Sequence, residues 1–576
     1  MVKDRLMKKH SKEDLNKLRH SAAHLLAQAV FELYPKTKLT IGPATDEGFF
    51  YDFLPETPFK EEDLEKIAQK MRKIVKQNLP IKQKEISKDE AKKLYKDNPF
   101  KCELIEDIPT DTVGLSCQGD FCDLCKGGHV ESTGKLGNFK LLNLSGAYWR
   151  ADKEKPALQR ISGTVFFTED ELAAWEQMKK DAAKYDHRKL GKQLDLFSFQ
   201  EEGPGFVFFH PKGKAIFNVM KGYLQKELES AKYHDIGTPI ILSDKLWHQS
   251  GHWDHYKENM YFIEKEGRNY AVRPMNCPGA ILIFKNRPRS YRELPLRLSE
   301  FGIDHRYELS GVLHGLFRVR AFTMDDGHIF CTEDQIEKEV TDTINLIFKV
   351  LHKFGFENVK VALATRPESS MGSDEIWEKA TNALINALEK NNVDYEVHEG
   401  EGAFYGPKLE FRIKDSMGRE WQCSTVQVDL LMPERFDLTY IASDGTKKRV
   451  TMIHRAIYGS MERFLGVLLE HYKGNLPFWL APIQAKVLTI TDVQKDYGTV
   501  ILEKLNNAGI RAEIDKSSDP LSGKIKNAQE ERIPWMLIIG KKEEAQKTVT
   551  IRHRDGSQEM GIPLDDLIDK ATQQNK

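Results

Sequence analysis

The chain reads as a multidomain α/β protein, on three observations. At 576 residues it is too long for one core, and about three or four domains are expected. Residues 304–328, DHRYELSGVLHGLFRVRAFTMDDGH, alternate on both sides of a loop bearing Gly311 and Gly315, the pattern of two antiparallel strands joined as a hairpin. Beyond residue 482, strand-like and helical runs alternate, which marks a separate mixed α/β domain.

Bulk composition removes several classes. Lys+Arg total 86 and Asp+Glu 87, for a net charge of −1, so no overall basic field draws in nucleic acid and any RNA contact must come from local patches. Seven cysteines, odd in number and scattered, argue against a disulfide scaffold and for a reducing compartment. No apolar run approaches the roughly 18–20 residues of a membrane span. The N-terminal MVKDRLMKKHSKEDLNKLRH mixes acids with bases and has no apolar core, unlike a secretory signal or transit peptide. A cytoplasmic protein with no membrane partner is expected.

Taken in order, residues 14–34 carry an amphipathic helical pattern ended by Pro35, with His20 and His24 on one face. Charged helices follow over 61–78 and about 88–96, the second capped by Ser87-x-x-Glu90. CDLCKGGH (122–129) supplies Asp123, Cys125 and His129. Singly, these histidines and thiols suit a core; together they suit either a tetrahedral zinc site or a polar pocket for acid–base work on an ester. Thr168-x-x-Glu171 caps a long charged helix expected to reach about residue 190. In the hairpin, Arg306 and Arg318 suit a triphosphate, because guanidinium forks bind phosphate oxygens bidentately; a solvated surface hairpin is the alternative. Residues 449–471 run from a strand through Gly459 and Ser460 into an amphipathic helix with Arg463 in its first turn. A cation there opposes the helix dipole, and a residue set against a local rule marks a functional site. After 482, strands are expected at 485–490, 510–514, 534–540 and 547–556, with helices to about 507 and 532.

The R-x-E hairpin and GSMERF resemble motifs two and three of class II aminoacyl-tRNA synthetases, whose antiparallel sheet binds ATP. GPGFVFFHPKGKAIFNVMKGYLQKEL (203–228), with Pro239 after it, resembles motif one and implies a homodimer. IGPATDEGFFYDF, CKGGH and SGAYWRADKEKPALQRISGTVF resemble the editing domain shared by threonyl- and alanyl-tRNA synthetases. That likeness implies a pocket of His20, His24, Cys125 and His129, assisted by Asp123 and Lys101, which hydrolyses misacylated tRNA. From the editing domain to the C-terminus the chain is similar to threonyl-tRNA synthetases.

The resemblance implies an α+β editing domain (1–167), a linker helix (168–195), a class II antiparallel sheet with flanking helices (196–478) and a C-terminal mixed α/β anticodon-binding domain (479–576). It implies a form without the family's frequent N-terminal ubiquitin-like domain. Cys277 in RPMNCPGA, His328 and His454 lie too far apart for spacing to link them, and only the resemblance makes them the ligands of one Zn²⁺ per subunit. Three protein ligands leave an open position, which the amino and hydroxyl groups of L-threonine complete. Further implied contacts are Arg306 and Arg463 on the phosphates of ATP, with Mg²⁺. Arg318, Tyr405, Lys408, Gln422 and Asp326 complete the active site, and Glu543 and Arg552 meet the anticodon of tRNA(Thr). Met324 departs from the glutamine of many members. Selection by a hydroxyl would reject valine by roughly 10⁴–10⁵, whereas serine differs by a methyl worth roughly 1–3 kcal/mol, so a second, hydrolytic sieve for seryl-tRNA(Thr) is expected.

Overall fold

The computed structural model describes residues 10–575, in two compact units divided between residues 180 and 181. The reading of the first nine residues lies outside the described part.

The first unit begins with the helix Lys12–Leu33, which starts at a capping box: Ser11 Oγ accepts from Asp14 N at 3.0 Å and Asp14 Oδ2 accepts from Ser11 N at 3.1 Å. Leu18, Ala22, Leu25, Leu26 and Ala29 form its buried face and join a core with Ile67, Met71 and Ile74 of the helix Glu61–Gln77. Against this core lies an antiparallel sheet ordered Lys38–Leu39, Phe49–Leu54, Ala157–Phe166, Asn138–Tyr148. A second sheet is ordered Ile81–Ser87, Thr112–Gln118, Phe121–Leu124. Its last hairpin sets Cys117 opposite Cys122 with Cα atoms 4.1 Å apart, and the two are disulfide-bonded. The composition argued against a disulfide scaffold; this one bond is a local link between adjacent strands, and the other five cysteines are free.

The capped helix at Thr168 forms as Glu169–Lys184, with Glu171 N donating to Thr168 Oγ1 at 3.2 Å. It does not run to residue 190 as expected. Asp186 takes a non-helical conformation (φ −53°, ψ 128°) and accepts from Arg188 N at 2.8 Å, which caps a separate helix, His187–Gln193.

In the second unit, an eight-stranded sheet is ordered His234–Asp235, Leu296–His305, Ala321–Cys331, Thr451–Ser460, Glu420–Asp429, Lys408–Lys414, Val359–Ala364, Tyr395–His398. All its pairs are antiparallel except the two edge pairs. The helices Pro211–Ser230, Ile336–Lys353, Asp374–Lys390 and Met461–His471 share its main core. A bulge between Met324 and Asp326 turns Asp325 into the sheet, where its carboxylate accepts from Ile457 N (2.8 Å), Tyr458 N (3.2 Å) and Gly459 N (2.9 Å). Fully buried Arg455 pairs with the same carboxylate at 3.5 Å. Hairpin and helix-bearing strand are thereby locked together.

The C-terminal sheet is ordered Ala512–Ile514, Ala485–Thr489, Trp535–Ile539, Thr548–His553, Gln558–Pro563, parallel among the first three and antiparallel beyond. Its four expected strands are present. The fifth, ending at Pro563, and the helix Leu564–Gln574 were not anticipated, because a proline-ended run of six residues carries weak strand periodicity.

Candidate functional sites

The hairpin brings three arginines to one place. Strands Leu296–His305 and Ala321–Cys331 pair from Leu296↔Phe330 to His305↔Ala321, and the connection 306–320 carries the arginines in place of the strands themselves. Arg306 N continues the pairing onto Arg320 O at 2.9 Å, and its guanidinium lies over the rings of Tyr256 and Phe322. Arg318 pairs with Glu308 at 2.9 Å. Arg463 stands in the first turn of Met461–His471, its N–H donating to Ser460 Oγ (3.2 Å) and its Nε to Phe317 O (3.2 Å). Burial, with Arg306 and Arg318 nearby, pushes the Arg463 pKa down. Crowded like charges at a helix N-terminus form an anion site.

Beside it lies a polar wall. Asn276 Nδ2 donates to Asp326 and, at 3.4 Å, to Asp304. Tyr405 OH donates to Gln427 Oε1 at 2.6 Å, while Gln422 sits farther along the same strand, opposite Arg412. Lys408 Nζ pairs with Glu410 at 2.7 Å. Sequence spacing does not single out Asn276, which precedes the helix Cys277–Lys285, or Asp304 and Gln427, lone polar residues in strands that carry no signal until register places them.

His328 and His454 are register partners on adjacent strands, with ring centroids 5.2 Å apart. Asp429, fully buried, accepts from Leu431 N (2.8 Å) and Met432 N (2.9 Å) on one oxygen and meets His454 Nε2 at 2.8 Å with the other. That arrangement directs the other ring nitrogen of His454 away from the carboxylate, as in an oriented metal ligand. Burial holds His328 well below the usual histidine pKa, hence neutral. Cys277 opens the helix Cys277–Lys285, 5% exposed, in the same apolar cluster as Tyr405, whose ring lies 5.2 Å from His454. Burial first, then Asp326 and Asp429, push its thiol well up, so a thiolate here needs a cation. The donor chemistry fits zinc. Yet among the described residues the sets whose donor atoms all lie within 4.8 Å of one another are His20/His24/Cys125/His129, Asp186/His187/Glu470 and His398/Glu401/Glu410, and Cys277/His328/His454 is not one of them. Cys277 Sγ lies instead 4.0 Å from Nε2 of buried His252, which sequence spacing did not bring forward.

In the first unit the expected cluster does converge. His20 and His24 project from Lys12–Leu33 towards His129, with ring centroids 4.4 and 4.9 Å from it. Gly127 (φ 101°) and Gly128 (φ 84°) fold the chain back on itself, conformations that side chains resist, so that His129 Nε2 returns to within 3.0 Å of Cys125 Sγ. Ser21 Oγ donates to Lys17 O (2.8 Å) and accepts from Val130 N (3.0 Å), so His129 Nδ1, 3.1 Å away, is the donor in that bond. Asp123 anchors the floor: Lys101 Nζ is 2.5 Å from Oδ1, Tyr51 OH donates to Oδ2 at 2.7 Å, and His24 Nδ1 approaches Oδ2 at 3.4 Å. Burial alone would lower His24, but Asp123 and Cys125 outweigh it and bring it to about 9. Burial alone would raise Cys125, but His129, His20 and His24 outweigh it and bring it down to about 3. A thiolate beside imidazoles can move protons to and from water attacking an ester, and the same donors could hold a metal. The rate of Cys125 alkylation by iodoacetamide should therefore stay flat between pH 6 and 8, where an ordinary thiol gains about tenfold per unit, and peptide mapping after timed labelling checks this. A tenfold rise per unit would show an ordinary thiol.

In the C-terminal domain, Glu543 Oε2 accepts from Gly540 N (3.0 Å) and Oε1 from Thr550 Oγ1 (3.1 Å), a helix-capping role. Arg552 faces Gln558 across its strand pair, its Nε buried without a hydrogen-bond partner.

Comparison with known proteins agrees with this geometry. Residues 261–472 match the tRNA synthetase class II core domain (G, H, P, S and T), residues 480–574 the anticodon binding domain, and residues 115–162 the threonyl and alanyl tRNA synthetase second additional domain. An antiparallel sheet with an arginine-bearing hairpin and an arginine at its terminal helix defines a class II aminoacyl-tRNA synthetase. Threonine–tRNA ligase of Clostridium tetani is 52% identical over 556 residues, 96% of this chain and 87% of that protein. The enzyme of Acetivibrio thermocellus is 51% identical over 558 residues, covering 96% and 88%. A crystal structure of the RNA binding domain of threonyl-tRNA synthetase from Cryptosporidium parvum aligns with TM-score 0.66 and 41% identity, covering 68% of this chain and 98% of that one. The chain belongs to the threonine–tRNA ligase family.

Proposed function

We propose that this protein ligates L-threonine to tRNA(Thr) with ATP and hydrolyses seryl-tRNA(Thr) formed in error. The crowding of Arg306 and Arg318 around Arg463 carries the ATP reading, because like charges held together at a helix N-terminus call for a polyanion. The amino-acid carboxylate attacks the α-phosphate, forming threonyl-adenylate and releasing pyrophosphate, and no side chain need act as nucleophile. Arg306 and Arg463 would neutralise the charge that develops, together with the Mg²⁺ that accompanies ATP, and Lys408, paired with Glu410, is assigned to the same chemistry. Tyr405 with Gln427, and Asn276 with Asp326, supply fixed polar groups for the amino acid. Cys277, His328 and His454 would hold Zn²⁺, which supplies a Lewis-acid position for a hydroxyl and an amine. In the first unit His20, His24, Cys125, His129 and Asp123 would activate water on the seryl ester. Glu543 and Arg552 are assigned to the anticodon, Gln422 and Arg318 to the substrates, and the domain limits 1–167, 168–195, 196–478 and 479–576 follow the same reading.

A homodimer is proposed through the motif-one segment, near which Ile240, Ile241, Phe262 and Ile263 are exposed. Among the described residues no helix is long and apolar enough to cross a membrane, and a cytoplasmic location fits the role. The direct test is amino-acid-dependent ATP–pyrophosphate exchange with threonine, serine, valine and proline. Strong exchange with threonine, weaker with serine and none with valine is expected; exchange with none of the four would overturn the reading.

A further inference from the structure

His187 belongs to neither the arginine cluster nor the polar wall, yet it is fully buried and every polar atom it offers is used. Its backbone N–H and its Nδ1 both meet Glu470 Oε1, at 2.9 and 2.7 Å, and its Nε2 accepts from the backbone N–H of Leu316 at 2.9 Å. An acceptor at Nε2 places the ring proton on Nδ1, so the imidazole is a bridge of one defined tautomer between Glu470 and the hairpin. Asp186, His187 and Glu470 place donor atoms within 4.8 Å of one another, but with both ring nitrogens engaged no lone pair is left for a metal.

Each end of the bridge reaches the nucleotide site. Glu470 lies on Met461–His471, the helix whose first turn carries Arg463, and it is held from the other side by Arg419, itself bonded to Asp415 through Nε at 2.8 Å. Leu316 precedes Phe317, whose ring centroid is 4.0 Å from that of His187 and whose carbonyl accepts from Arg463 Nε at 3.2 Å. Gly315 (φ 50°) passes so close that a Cβ there would lie 2.1 Å from His187 Nε2. Beside this tip a cavity of about 620 Å³ opens between Arg188, Gly205, Leu313, Gly315 and Arg318, so the loop is undercut on that face.

We propose that His187 is a positioning residue for the nucleotide end of the active site: it pins the hairpin tip through Leu316, so that Phe317 O fixes the Arg463 guanidinium and Arg318 is presented beside it. The inference rests on the ATP reading above. It places a determinant of ATP binding on the helix His187–Gln193, outside the hairpin connection and the helix that carry the arginines.

The test is threonine-dependent ATP–pyrophosphate exchange by the full-length protein and two variants. Asparagine sets its amide near Nδ1 and keeps the Glu470 contact but loses Leu316, whereas glutamine sets its amide near Nε2 and can still accept from Leu316 N–H. His187→Asn should raise KM for ATP about tenfold, the worth of one buried hydrogen bond, with KM for threonine unchanged within about twofold. His187→Gln should recover most of that loss. An unchanged KM for ATP in folded His187→Asn overturns the proposal. So do equal rises for ATP and threonine with no recovery by glutamine, which mean a role in folding alone. Should His187→Asn fail to fold, hydrogen exchange in the wild-type peptide spanning 313–318 decides. A Leu316 amide protected before ATP is added supports the bridge, and exchange at an open-loop rate overturns it. Wild-type protein without threonine-dependent exchange would instead fail the reading beneath.

Discussion

Cys277→Ala is expected to lower threonine-dependent ATP–pyrophosphate exchange by roughly a thousandfold, the several kcal/mol of barrier that a lost Lewis acid represents. Bound zinc, measured by plasma mass spectrometry on the same preparation, should fall with it. Structure and chemistry together make this demanding. The buried thiol is pushed well up by its surroundings, so without a cation Cys277 is a neutral hydrophobe packed in the cluster of Phe330, Tyr405 and Met452. Alanine there leaves a small apolar gap that the fold tolerates, and the loss should appear in chemistry rather than in melting temperature. Chelation of the wild-type protein should reproduce the effect, and added Zn²⁺ should reverse it. Retained threonine activation in a zinc-free variant would remove Cys277, His328 and His454 from the ligand role.

His24→Ala is expected to leave threonine activation unchanged while deacylation of seryl-tRNA(Thr) slows by roughly 10²–10⁴, the usual worth of a positioned acid–base group. Helical backbone and burial at that position both accept alanine, so the effect should be confined to the pocket. Asp123→Ala separates chemistry from scaffold. Asp123 is 1% exposed and faces Lys101, 2% exposed, so its removal strands a buried ammonium and should cost about 3–5 kcal/mol of stability besides hydrolysis. Deacylation assays with purified seryl-tRNA and thermal melts of both variants distinguish the two. Undiminished clearance of serine by His24→Ala would show that the cluster is not the hydrolytic site.

Much of the site was legible because the signals are local. The capping boxes at Ser87 and Thr168 each place an acceptor three residues from its partner, and both form as read. His20 and His24 share a helix face by spacing alone, and CKGGH returns His129 to Cys125 through two glycines with positive φ. The two paired strands form a ten-pair ladder ending at His305↔Ala321, but the alternating run at Arg306 and Glu308 lies beyond it, in the connection 306–320. Less legible was the continuation of the helix after Thr168. Its charged pattern runs on unbroken, but Asp186 offers its carboxylate to Arg188 N and begins a new helix. A local side-chain bond overrode periodicity there.

The sequence by itself determined the class of protein, through motifs that resemble a known family, and it singled out the arginines proposed for phosphate and the His/Cys set proposed for hydrolysis. Those depend on periods of two and 3.6 residues and on short motifs that need no distant partner. The tertiary structure alone decided that Gln427 meets Tyr405, that Asn276 bridges Asp304 and Asp326, and that Asp325 leaves its ladder to cap three amides of a neighbouring strand. It alone also set His187 under Leu316, 129 positions away in the chain. Register, a bulge and the burial of unpaired donors select such partners, and these are properties of the packed sheet that no stretch of sequence carries on its own.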